Sequence, residues 1–80
     1  MAKIRFDRHA KRRMKWRRIS EGEVYLVLEN PDKIEESIRG RTNVYKQIGD
    51  KYLKVTLKEI SDQTFIISVV DRGKGGQDED

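Results

Sequence analysis

The sequence predicts an α+β domain in which two N-terminal helices pack on an antiparallel β-meander sheet of three to four strands. Three observations carry this. Apolar residues recur at helical spacing up to Asn30-Pro31; after Pro31 the period drops to two; and short Gly- or Asp-containing turns divide the alternating runs. Eighty residues, 35% hydrophobic and 40% charged, suffice for one domain with a small core. A site is therefore expected on a surface groove rather than in a deep cavity. Residues 1–72 form the expected domain. Residues 73–80, glycine-rich and acidic at the tip, read as a disordered polar tail.

Asp7 is the expected N-cap of a first helix reaching about Arg18, with Phe6 packing back on its first turn. On a helical wheel Phe6, Ala10 and Met14 share one side. Arg13 and Arg17 fall in that same arc, and His9 and Trp16 sit on its shoulder. Arg8, Lys11, Arg12, Lys15 and Arg18 occupy the opposite half. Ser20 and Glu23 make a capping box that opens a second helix, with Val24, Val27 and Leu28 as its buried stripe and Tyr25 and Leu26 at the margins. Asn30-Pro31 stops it, because proline disfavours the α conformation in the residue before it.

Lys33–Ile38 is a weak strand candidate, and Arg39-Gly40-Arg41 a turn. Asn43–Ile48 is a stronger strand, and Gly49-Asp50 reads as a glycine-first hairpin connection. Tyr52–Ile60 alternates cleanly, with Leu53, Val55 and Leu57 inward. Ser61-Asp62-Gln63 is the next turn. Thr64–Asp71 is the last strand, with Phe65, Ile67 and Val69 expected on the core side and Ile66, Ser68 and Val70 facing away. The outer sheet face then carries Tyr45, Gln47, Tyr52, Lys54, Thr56 and Lys58.

Composition excludes several chemistries. The chain has no cysteine, which removes disulfides, thiol nucleophiles, thiolate zinc sites and iron–sulfur clusters. It has one histidine, His9, so a multi-histidine metal site is excluded. No cofactor and no metal are expected. No apolar run is long enough to span a membrane and no secretory signal is legible, so a soluble cytoplasmic protein without a membrane partner is the expectation.

Charge is unevenly spread. Residues 1–18 hold nine Lys/Arg against Asp7 alone, whereas the rest of the chain is mildly acidic. Such a segment seeks phosphates or an acidic protein surface; the alternative is a solvated helix face with internal ion pairs. Arg8, Lys11, Arg12, Lys15 and Arg18 are the expected electrostatic platform for RNA. Arg39, Arg41, Tyr45, Tyr52, Lys54 and Lys58 are the candidate RNA-facing set on the sheet, where lysines neutralise phosphates and tyrosines stack bases. Lys46 should point inward and is a poorer candidate. Trp16 reads as a core or interface residue. His9 has the only side chain whose ordinary pKa suits proton transfer near neutrality, and Arg13 lies one turn on, placed to hold a phosphate. The competing reading makes His9, Arg13 and Arg17 structural, locking the helix onto the sheet through carbonyls or carboxylates.

The string His9-Ala10-x-x-Arg13-Met14-x-x-Arg17-x-Ile19-Ser20, followed by a short helix ending at Asn30-Pro31-Asp32 and then by Arg41, Tyr45 and a run of strands, resembles the DUF4258 family, related to RelE/ParE-like toxins of toxin–antitoxin modules. The resemblance covers roughly residues 4 to 71. It implies a curved antiparallel sheet carrying two N-terminal helices. RelE-like toxins cleave mRNA on the ribosome, whereas ParE-like relatives inhibit DNA gyrase without cutting. The implied function is thus a small toxin-type RNA-binding protein, extending to a metal-independent, ribosome-associated mRNA endoribonuclease with His9, Arg13 and Arg17 as catalytic candidates. Its implied partners are RNA, the ribosome and a cognate antitoxin protein. The ribonuclease branch often places a Tyr or His near the C-terminal end, where this chain reads Ile-Ile-Ser-Val-Val-Asp-Arg-Gly after Phe65. The alternatives are a non-catalytic interaction domain, gripping an antitoxin or inhibiting a gyrase-type target, and an inactive orphan member of the family.

Overall fold

A computed structural model describes residues 3–73, so the expected tail, apart from Gly73, lies outside the described residues. The elements in chain order are β1 (Lys3–Phe6), α1 (Arg8–Arg17), α2 (Glu21–Glu29), β2 (Lys33–Glu36), a 3-10 turn (Ile38–Gly40), β3 (Arg41–Ile48), β4 (Lys51–Ile60) and β5 (Gln63–Asp71). The strands form one five-stranded sheet in the order β1-β5-β4-β3-β2. The architecture is α+β, with both helices on one sheet face. No helix among the described residues is long and apolar enough to cross a membrane.

The helical corner is fixed by local hydrogen bonds. The Asp7 carboxylate accepts from the His9 backbone N–H at 3.1 Å, capping α1. Arg18 ends α1 in the left-handed region, φ 57°, and the Ile19 N–H reaches back to the Met14 carbonyl at 2.8 Å. Ser20 and Glu23 form the expected capping box on α2: Glu23 N–H donates to Ser20 Oγ at 3.1 Å, and Ser20 N–H to Glu23 Oε1 at 2.9 Å. Lys51, at the start of β4, then ties the corner to the sheet. Its Nζ donates to the Arg18 carbonyl at 2.8 Å and pairs with Glu23 at 3.3 Å. The core lies between the helices and the sheet and consists of Ala10, Met14, Ile19, Val24 and Val27 packed on Val44, Leu53, Val55, Leu57, Ile66 and Val69.

Two expectations are corrected. The sheet is mixed rather than an antiparallel meander, and it has five strands rather than three to four. The extra strand is β1, which pairs parallel with β5 in the register Ile4↔Thr64 and Phe6↔Ile66. Phe6 therefore belongs to this strand, ahead of the helix. A four-residue run whose partner lies some sixty positions away has no local signal beyond its alternation. The second correction concerns β5. Thr56 faces Ser68, but Leu57 faces Ile66, so Ile67 is an unpaired bulge residue and the strand changes phase there. Ile66 is consequently fully buried, whereas Phe65 and Ile67 are half-buried; Val69 keeps its expected inward place.

Replacing a fully buried isoleucine by alanine costs about 2–5 kcal/mol. Ile66→Ala should fall in that range and Ile67→Ala should cost less than half as much, read from urea denaturation midpoints. Strict alternation through β5 predicts the reverse order. The capping box gives a second test. The Ser20 backbone N–H, and then Lys51 against the opposing effect of burial, hold the Glu23 carboxyl below its usual range. A depressed folded-state pKa contributes stability that is present above the unfolded value of about 4.3 and lost as pH falls through the folded one. Glu23→Gln should therefore lower stability at neutral pH and flatten its acid limb in equilibrium unfolding; an acid limb unchanged by the substitution contradicts this linkage.

Candidate nucleic-acid interface

The sheet face away from the helices is open. Its residues follow from the register. Lys33 and Glu35 of β2 lie beside Tyr45 and Asn43 of β3; Arg41, Asn43, Tyr45 and Gln47 of β3 lie beside Lys58, Thr56, Lys54 and Tyr52 of β4. Lys3 and Arg5 extend the face across β1, paired with Gln63 and Phe65. Among the described strand residues, Lys3, Arg5, Lys33, Arg41, Lys54 and Lys58 thus share one surface with a single carboxylate, Glu35. Arg72 adds a further cation, its guanidinium 5.9 Å from the centre of the Tyr45 ring. Arg41 and Lys58 are directly opposite one another. Like charges in that position destabilise a strand pair, so this arrangement is not one that fold stability favours.

Tyr45 organises the middle of the face. It is only 5% exposed, although no helix lies above it. The Tyr52 ring stacks on it at 5.8 Å and 22°, and Lys33 Nζ lies 5.3 Å from its ring centre. The Tyr45 hydroxyl donates to Glu35 Oε1 at 2.8 Å; the Asn43 amide approaches the same oxygen at 3.5 Å; and the Thr56 hydroxyl donates to Asn43 Oδ1 at 2.8 Å. These bonds link β4, β3 and β2 side by side. Bonding from the Tyr45 hydroxyl and then from Asn43 holds the Glu35 carboxyl below its usual range, helped by Lys33 and Lys54. Burial first, and then the Glu35 carboxylate, push the Tyr45 phenol above its ordinary value of about 10. Among the described residues the face thus presents a set of cations, the ring of Tyr52 and the Glu35 carboxylate.

The sequence-predicted residues divide between two sides of the molecule. Arg41, Tyr52, Lys54 and Lys58 lie together on the open face, and Arg39 stands in the 3-10 turn beside it in the left-handed region, φ 59°. Tyr45 is on the face but its ring is covered, so stacking against a ligand falls to Tyr52. Arg8, Lys11, Arg12, Lys15 and Arg18 are exposed on α1, in the helix layer on the other side of the sheet. His9 is exposed on that helix, and Arg13 and Arg17 are half-buried there, each engaged by a neighbour. The catalytic candidates and the sheet lysines are therefore not brought to one place. Trp16, expected in a core or interface, is 81% exposed. Lys46 points inward as expected and pairs with Asp32 at 3.7 Å.

Lys3, Arg5, Lys33, Glu35 and Arg72 were not legible as site residues. Glu35 and Lys33 sit in a run whose alternation is weak, and their neighbours become visible only once Ile34 is placed opposite Val44. A second groove, beneath α2, is lined by Ile4, Leu28, Pro31, Ile34, Val44 and Leu57 with Glu59 as its charged residue, and is unsuited to a polyanion.

A raised phenol pKa stabilises the fold fully below the ordinary tyrosine value, and that contribution is lost as pH rises through the folded one. In an alkaline titration followed by phenolate absorbance, one of the three tyrosines should therefore ionise late. Tyr45→Phe should remove that late component, and Glu35→Gln should move it toward the ordinary value. A late component unaffected by either substitution contradicts the network.

No curated protein and no solved structure matches this chain. One family model does, over residues 6–71, and its description is a domain of unknown function, DUF4258. The match spans α1 through β5 and most of the open face with them, and the chain belongs to the DUF4258 family.

Proposed function

We propose that this protein binds single-stranded RNA on the open face of its sheet. The observation that carries the reading is the sorting of charge there: among the described strand residues and Arg72, the cations Lys3, Arg5, Lys33, Arg41, Lys54, Lys58 and Arg72 stand against the carboxylate of Glu35, on the sheet face opposite α1 and α2. Such a surface neutralises phosphates, and Tyr52 offers a ring edge and face for a base. The like-charge pair Arg41–Lys58 is relieved when a phosphate lies between its members. The resemblance to RelE/ParE-like toxins supports extending this to a toxin-type protein that acts on ribosome-bound mRNA. In that extension the 2′-hydroxyl attacks the adjacent phosphate as Glu35 accepts its proton, and the lysines and arginines hold the developing negative charge. The P–O5′ bond breaks to leave a 2′,3′-cyclic phosphate and a 5′-oxygen that takes a proton from water.

Binding to a fluorescent single-stranded RNA should weaken with salt at a slope near −0.7 per phosphate contact, about −3 for four contacts. Lys54→Glu combined with Lys58→Glu should lower affinity at least about tenfold and reduce that slope by roughly 1.4. Equal affinity for the double variant would refute the sheet reading. Primer extension on mRNA translated with the protein should show new stops, absent with Glu35→Gln; no new stops from the wild-type protein removes the cleavage extension.

A further inference from the structure

The bound strand need not end at the sheet. β1 is an edge strand, and a groove of about 490 Å³ runs along it between the sheet and the helices, lined by Lys3, Arg5 and Lys11 with Tyr25 and the single carboxylate Glu21. Lys3 and Arg5 belong to the open face, and Lys11 belongs to α1. The groove therefore joins the two cationic sides of the molecule at one edge. Beyond it, α1 exposes Arg8, Arg12 and Lys15, and among the described residues none of these forms an ion pair with a carboxylate.

Trp16 stands in this cationic surface at 81% exposure. Packing does not account for it: the core contacts of α1 are made by Ala10 and Met14, on the far side of the helix. At 3.6 residues per turn Arg12 lies one turn back on the same side as Trp16, and His9 two turns back in almost the same line. An indole ring held in water among cations has the composition of a base-stacking platform, worth a substantial gain for each base that stacks on it.

We propose that the RNA strand continues from the sheet around the β1 edge, through the Lys3–Arg5–Lys11 groove, and onto α1, where a base stacks on Trp16. This rests on the reading of the open face as an RNA site and assigns its outgoing path. One strand, one protein and a long site are its consequences. A solvated helix face predicts no such dependence on strand length.

The test compares uniform single-stranded RNAs of about 5 and about 15 nucleotides, near the two ends of the site sizes known for single-strand-binding grooves. Affinities are measured by fluorescence anisotropy at one salt concentration, and stoichiometry by analytical ultracentrifugation. The long strand should bind the wild-type protein at least about tenfold more tightly than the short one, at one strand per protein. Trp16→Ala and Lys11→Glu should each cut long-strand affinity at least about fivefold and leave short-strand affinity unchanged. Thermal unfolding of Trp16→Ala should match the wild type, since the side chain is 81% exposed. A long strand that gains nothing, or variants that weaken both strands equally, overturns the path while leaving the sheet site intact. Two long strands per protein also overturns it, replacing a single path with two separate sites. A short strand that fails to bind refutes the sheet reading itself. If α1 instead serves an acidic protein, its variants leave both RNA affinities unchanged, and the path is refuted.

Discussion

Burial of one sheet face, and only one, is the constraint on which the rest depends. The two short helices place Ala10, Met14, Val24 and Val27 against Val44, Leu53, Val55, Leu57, Ile66 and Val69, and they leave the opposite face, where Tyr45 and Val70 are buried, without a helical layer. The second face must then be compatible with water, as is usual for an antiparallel sheet. Water, however, asks only for polarity. A mixture of both charge signs would satisfy it and would stabilise neighbouring strands through cross-strand pairs. This face instead gathers cations and sets Arg41 opposite Lys58. Stability does not explain that choice; the polyanionic ligand proposed above would account for it.

The face also carries its own organisation. Tyr45 is buried without a core above it, because Tyr52, Lys33 and Arg72 close over its ring while its hydroxyl reaches Glu35. The same carboxylate draws in Asn43, which accepts from Thr56. The short, exposed edge strand β2 is thereby fastened to β3 and β4 through side chains as well as through its ladder. Lys33, its ammonium 5.3 Å from the Tyr45 ring centre, and Lys54, opposite Tyr45 in the register, flank this network.

Much of this was legible in the sequence, for physical reasons that differ by element. Asp7, the Ser20–Glu23 capping box and Asn30-Pro31 mark helix ends through contacts within four residues, so local pattern suffices. The clean alternation of Leu53, Val55 and Leu57 placed β4, and with it Lys54 and Lys58 on the outer face. What escaped depends on partners distant in the chain. β1 exists only because β5 offers an edge, and the phase change at Ile67 appears only when Ser68 and Ile66 are matched to Thr56 and Leu57. The role of Glu35 is of the same kind: a glutamate in a weak run becomes the hub of a network once β2 is laid beside β3. The exposure of Trp16 was hidden because an aromatic on a helix shoulder is as compatible with a core as with solvent.

The most direct measurement of the central claim is a backbone amide NMR titration of the protein with a short single-stranded RNA. The account predicts progressive shifts at Arg41, Asn43, Tyr52, Lys54, Thr56 and Lys58, with the core-facing amides of Val24 and Val27 left in place. Shifts confined to the groove beneath α2, around Leu28 and Ile34, or no shifts at millimolar RNA and low salt, would contradict it.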